Sequence, residues 1–405
     1  MNTKSKSQSF SWLRNLRPQV DWPLAIAIGI LLLISLIFVF SSSVTQSLLV
    51  DGNFTSIGGK NLLWIVTGIL LCLLASAVDY RRINKYLALV IIFAGIILLI
   101  ITVIKPNSDG AGRGIFGASV QPTELINLAL IIYLSVWLNS KQEVLSSWSS
   151  GLIPFGAIVG FIMVLVIFQG DFSAAITVLI LGSFMIFISG AKTLQVLKFF
   201  AVVLVVGTLA VVLFGGQRSG RITDFINGLK DPAQASPHVL RTTDAIHNGG
   251  LFGIGLGESI SKYTGLPVPW TDSIFAVIVE EVGTLFGLFV IGLYIFILWR
   301  GLKIANRAPD LIGKFMASGI TLWIVFAAFI NIGALINLAP FGGNALPLVS
   351  YGGSSMWTTL TGLGILMNIS YASTHAKSEE GRSYGAVIDL RRRNGRRSVS
   401  RPRSS

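Results

Sequence analysis

Apolar residues in this chain are gathered into long runs separated by short polar breaks. The runs fall at roughly 22–42, 60–78, 85–104, 122–138, 194–214, 273–299, 313–338 and 348–370. A hydrocarbon layer about 30 Å thick takes roughly 20 apolar helical residues, so each run predicts one membrane-spanning helix. The stretch 151–189 is also apolar, but as a single helix it would reach about 58 Å at 1.5 Å per residue. Gln169-Gly170-Asp171 marks its division into two. The pattern therefore predicts an all-α polytopic membrane protein of about ten transmembrane helices. Residues 1–21 form an N-terminal segment, 22–370 the helical membrane domain, and 371–405 a basic tail without regular structure. Between the seventh and eighth runs lies one long loop, 215–272. Loops of that length are uncommon unless functional or disordered, and Phe225, Ile226, Leu229, Leu251, Phe252, Tyr263 and Trp270 predict that it folds down as interfacial helices.

Composition agrees with the pattern. Hydrophobic residues make up 53% of the 405 and charged residues 12%, with a mean hydropathy of +0.74. A soluble domain carries about 25% charged residues, so a conventional soluble enzyme is excluded. Cys72 is the single cysteine, which excludes a disulfide scaffold and a cysteine-built metal site. His238, His247 and His375 show no ligand spacing.

The net charge of +13 raises nucleic acid as a partner, and the placement of the charges removes it. An even number of spans puts both termini on one side. With the termini inside, only Lys60, Lys105, Arg113, Arg218, Arg221, Lys230, Arg241 and Lys262 lie outside, leaving 23 of the 31 basic residues within. That bias places both ends in the cytoplasm and makes 215–272 an extracytoplasmic loop. The first run lacks a small-residue cleavage site and reads as an anchor. The basic tail either stays solvated or rests on anionic lipid of the inner leaflet.

Polar residues in apolar surroundings mark the candidate chemistry. Glu124, Asp171, Asp272, Glu280 and Glu281 sit in, or at the outer ends of, apolar helices, where a carboxylate is costly and a functional cavity is the default expectation. Asp272 is either a general base or the N-cap of the eighth helix, since Ser273-Ile274-Phe275 follows it. If that helix runs on unbroken, Glu280 lies about 12 Å deeper. The basic residues of the long loop suit a lipid-linked anion such as a pyrophosphate, or else snorkel at headgroup level. The run Gly249-Gly250-Leu251-Phe252-Gly253-Ile254-Gly255-Leu256-Gly257 lacks the βαβ context of a dinucleotide loop. Ser350-Tyr351-Gly352-Gly353-Ser354-Ser355 opens the last span, either packing helices closely or turning backbone and hydroxyls toward a cavity.

Four motifs occur in order: Gln121-Pro122-Thr123-Glu124-Leu125; the glycine run through Lys262; Thr271-Asp272 with Phe275-Ala276-Val277 and Glu280-Glu281; and Leu346-Pro347 with Ser350 to Ser355. Together they resemble the SEDS family (shape, elongation, division and sporulation) of FtsW, RodA and SpoVE, leaning to FtsW, across roughly residues 21–370. The resemblance implies a peptidoglycan glycosyltransferase of the bacterial cytoplasmic membrane that polymerises lipid II, with Asp272 as the essential aspartate. It implies that Lys262, Glu124 and Asp171 match the family's loop lysine, intramembrane glutamate and motif aspartate. It also implies a class B penicillin-binding protein, a transpeptidase, as partner within a larger cell-wall complex. The chain departs from the family at Gly112, Gly114, Asn127 and Gly170, and His238 and Arg241 stand where glutamines are usual.

On this reading Asp272 takes the proton of the attacking sugar hydroxyl, and Lys262, Arg113, Arg218 and Arg221 stabilise the departing pyrophosphate. Glu124, Asp171, Glu280, Ser350 and Ser354 complete the candidate substrate site. The carboxylates permit a divalent cation, Mg or Mn, without requiring one. Two other functions fit the pattern: a flippase for the same precursor, since interrupted helices also serve transport, and a non-catalytic scaffold of the cell-wall complex.

Overall fold

A computed structural model describes residues 20–51, 53, 55–104, 121–145, 147, 151–169, 171–214, 220–340 and 342–395. Among the described residues there is no strand. The helices are α1 (Trp22–Asp51), α2 (Ser56–Ala77), α3 (Lys85–Ile104), α4 (Pro122–Ser140), α5 (Ile153–Phe168), α6 (Phe172–Ile188), α7 (Thr193–Phe214), α8 (Gly220–Lys230), α9 (Pro237–Gly249), α10 (Ile274–Val282), α11 (Thr284–Arg307), α12 (Leu311–Leu335) and α13 (Gly353–Gly395). Six of them, α1 to α4, α11 and α12, are long and apolar enough to cross a membrane. α5 and α6 are shorter apolar helices. They part where the sequence predicts: Asp171 accepts a hydrogen bond from Ala174 N–H (3.1 Å) and caps α6.

Two expectations are corrected. The run 273–299 is not one span. It breaks at Gly283, whose φ of 98° is costly for any residue with a Cβ, leaving α10 as a separate nine-residue helix. The chain beyond residue 371 is helical to Gly395, because it continues α13 with helix-forming residues and meets no proline before Pro402.

Lipid offers no hydrophobic drive between helices, so close packing holds the bundle. A Cβ on Gly364 of α13 would run into the carbonyl oxygen of Cys72 on α2, and one on Gly301 of α11 into the Thr321 side chain of α12. At the end of the bundle remote from residues 215–272, carboxylates fasten the helices. Arg300 donates to both oxygens of Asp21 (3.0 and 2.9 Å), and Ser370 adds a third bond (2.6 Å). Burial pushes the Asp21 carboxyl up, but Arg300, Ser370 and the Leu24 amide outweigh it and hold the group below its ordinary range. Nearby, Tyr80 (2.7 Å) and Arg81 (3.0 Å) donate to Asp310, which caps α12 through Gly313 N–H (2.7 Å).

Candidate active site

The opposite end of the bundle carries α8, α9 and α10. Asn331 Nδ2 donates to Asp272 O (3.1 Å) from a point twenty residues along α12, about 30 Å from Leu311 at 1.5 Å per residue. At the other end of α10, Glu281 meets Ser41, about 28 Å along α1 from Trp22 by the same rise. α10 thus runs from a tie to α12 at its start to a tie to α1 at its end.

The glycine run explains why α10 stops. A helix leaves its last carbonyls without internal partners, and this run supplies donors: Ile254 N–H to Glu280 O and Gly255 N–H to Glu281 O, both 3.0 Å. Thr284 returns the contact, its N–H (2.9 Å) and hydroxyl (2.6 Å) donating to Gly250 O. The backbones meet so closely that a Cβ on Gly249, Gly253 or Gly283 would strike the carbonyl oxygens of Val279, Glu281 and Leu251 respectively. The run is a clasp on α10.

Two buried carboxylates secure that clasp. A helix C-terminus disfavours negative charge, so each requires strong donors. Lys262 Nζ lies 3.0 Å from Glu281 Oε1, with the two side chains 3% and 0% exposed. Ser41 donates to both Glu281 oxygens (2.8 and 3.1 Å). Lys262 also reaches Gly257 O (2.5 Å). Glu280 takes hydrogen bonds from Ser259 Oγ and from Ser261 Oγ (2.8 Å). Lys262 and Glu280, expected to face substrate, are internal fasteners instead.

Asp272 is half-buried. It is not the N-cap of α10: Ser273 holds that place without a side-chain cap bond, and the helix begins at Ile274. The turn that carries Asp272 is fixed residue by residue. Tyr351 N–H donates to Trp270 O (3.0 Å), Ser350 Oγ to Thr271 O (2.6 Å), and Ser273 Oγ to Pro267 O (2.9 Å) while lying 3.3 Å from His238 Nε2. Ser350 and Ser354 are buried and act as stitches, Ser354 Oγ accepting from Gln121 N–H (2.8 Å). A Cβ on Gly353 would press on Trp64 at 2.9 Å, and one on Gly342 would overlap Ser173. Segment 342–354 therefore joins the N-terminal ends of α4, α6, α10 and α13 at one place. Glu124, in the first turn of α4, and Asp171 are close enough to act on each other electrostatically.

A model of the family described as cell cycle protein, FtsW/RodA/SpoVE, matches residues 22–375. The chain belongs to that family. It is 34% identical over 360 residues to stage V sporulation protein E of Bacillus subtilis, covering 88% of this chain and 98% of that protein. It is 32% identical over 385 residues to the probable peptidoglycan glycosyltransferase FtsW of the same organism, covering 91% and 94%. Its fold is similar to that of the rod shape determining protein RodA of Thermus thermophilus (TM-score 0.63, 23% identity, 87% and 96% covered). It is also similar to a chain in a solved peptidoglycan synthase complex that coordinates polymerization and crosslinking (TM-score 0.69, 24% identity, 87% and 98% covered). Family membership and the six apolar helices make this a multi-pass membrane protein.

Other expected site residues are dispersed. Arg113 and Arg218 lie outside the described residues, as do Gly112, Gly114 and Gly170, and Arg221 is described only as part of α8. Asn127, where the family resemblance places a lysine, is buried in α4 with its Oδ1 unpartnered among the described residues. Sequence reasoning missed Ser41 and Asn331. Asn331 is the more informative, because it fixes Asp272 O and Asn344 O (2.6 Å) while its buried Oδ1 finds no partner among the described residues. An apolar groove of about 530 Å³ between α5 and α7, with Gly156, Gly160 and Phe199 in its walls, contains none of these residues.

Proposed function

We propose that the protein is a peptidoglycan glycosyltransferase that polymerises lipid II at the outer face of the bacterial cytoplasmic membrane. The observation that carries this reading is the half-exposed Asp272 on a turn whose four residues, 270–273, are each held by a hydrogen bond. A base fixed in this way avoids reorganisation when the proton moves. The names of the FtsW relatives support the same activity.

In the proposed step the Asp272 carboxylate takes the proton of the acceptor sugar's 4-hydroxyl. The freed oxygen forms a bond to the anomeric carbon of the donor. The bond from that carbon to undecaprenyl pyrophosphate breaks, and the leaving group departs with the electron pair and with inversion. A positioned base contributes about 10²–10⁴-fold. Negative charge on the leaving pyrophosphate needs cations or free helix N-termini, and those of α4 and α6 already carry Glu124 and Asp171. Arg113, Arg218 and Arg221 remain the candidate cations; Lys262 serves by holding the clasp. The orphan Asn331 Oδ1 offers an acceptor for a substrate hydroxyl or amide. Among the described residues no three His, Cys, Asp or Glu side chains cluster to hold a metal ion.

In this reading the membrane is crossed ten times, by α1 to α7, α11, α12 and α13, with both termini in the cytoplasm. A class B transpeptidase is the expected partner, supported by the fold shared with a chain of a peptidoglycan synthase complex. Purified protein with its transpeptidase and lipid II in detergent tests the activity: glycan strands support polymerisation. Transport of lipid II across vesicles with no polymer in either setting would establish the flippase instead.

A further inference from the structure

A cavity of about 210 Å³ opens between α8 and α9, walled by Asp224, Phe225, Ser236, His238 and Asn337 among others. Its chemistry is specific. The walls offer a carboxylate, an amide, an imidazole and a hydroxyl beside one aromatic ring, and no lysine or arginine lines it. Asp224 disfavours an anion, and the density of polar groups disfavours an isoprenoid tail. A neutral, hydroxyl-rich ligand suits this set. A cavity of about 210 Å³ is on the scale of one sugar ring.

The cavity is coupled to Asp272 through one side chain. His238 lines it, and its Nε2 lies 3.3 Å from the Oγ of Ser273, the residue following Asp272. Asn337 is held at a positive φ of 57° as the chain leaves α12, the helix whose Asn331 fixes Asp272 O. Two elements that position the candidate base thus also wall the cavity.

We infer that this cavity is an acceptor subsite that binds one pyranose ring of the acceptor near the turn that carries Asp272. The inference rests on the glycosyltransferase reading above. Asp224 and Asn337 bind the ring, and His238 positions Ser273 and its turn.

The test uses the full chain with its transpeptidase. Asp224→Asn and Asn337→Gly, the latter keeping the positive φ, should each raise KM for lipid II about tenfold while kcat stays within twofold. In the wild type, the β-1,4-linked dimer of N-acetylglucosamine should slow amide exchange across residues 224–239, and both variants should lose that protection. Unchanged KM in both variants together with no protection in the wild type overturns the subsite. A wild type that is protected yet makes no glycan refutes the polymerase reading while leaving the sugar site standing.

Discussion

Replacing Lys262 with methionine removes the buried partner of Glu281 while keeping most of the aliphatic stem. Breaking a buried ion pair by deleting one member costs about 3–5 kcal/mol, because a charge is left uncompensated. Glu281 retains the single Ser41 hydroxyl, shared between its two oxygens, which places the cost near 3 kcal/mol on that scale. At 1.4 kcal/mol per decade, the population in which the glycine clasp has come off α10 should rise roughly a hundredfold. The amides of Ile254 and Gly255 report it directly, since they donate to the carbonyls of Glu280 and Glu281. Hydrogen exchange of the 254–262 peptide in detergent should accelerate by that factor. Adding Glu281→Gln should restore most of the protection and of the polymerising activity, since the charge is then gone. Exchange unchanged by Lys262→Met would refute the clasp. Activity that stays lost in the double variant after exchange has recovered would return Lys262 to the substrate as a direct cation.

Three further outcomes follow from the same geometry. Arg300→Ala should lower the thermal stability of the detergent-solubilised protein by about 3 kcal/mol, by stranding the buried Asp21 carboxylate. Because Asp21 is held below its ordinary range, its stabilisation is present above about pH 4 and lost as pH falls through the depressed value; Arg300→Ala should flatten that acid limb of a melting-midpoint series. Gly283→Ala introduces a Cβ at φ 98° against Leu251 O and should sharply reduce the monodisperse fraction in size-exclusion chromatography. Ser350→Ala leaves Thr271 O and Leu346 N–H without their hydroxyl partner, a loss of about 1–3 kcal/mol. Polymerisation should fall at least tenfold with helix content unchanged by circular dichroism.

What the sequence conveyed depended on whether the signal was local. Helix length in a membrane is set by consecutive apolar residues, so α1 to α4 and the Gln169–Asp171 break were legible from composition alone. The break at Gly283 was not, because residues 274–299 are apolar on both sides of it and the cause is a backbone contact from Leu251, more than thirty residues earlier. The same limit applies to the site. Asp272 stood out as a carboxylate at a helix mouth. The partners of Lys262 and Glu280, by contrast, are set by tertiary contact: Ser41 comes from α1, 240 positions before Glu281. Asn331 carries no sequence signal, being a single polar residue in a long apolar helix, and nothing in the run Ser41-Ser42-Ser43 sets Ser41 apart from its neighbours.

The central claim concerns the carboxylate of Asp272. Glycan synthesis from lipid II by the wild-type protein and by Asp272→Asn, each purified with the same transpeptidase and compared at equal helix content and melting temperature, measures it most directly. The account predicts a rate reduced by about 10²–10⁴-fold in the variant. A variant that polymerises at the wild-type rate would contradict it.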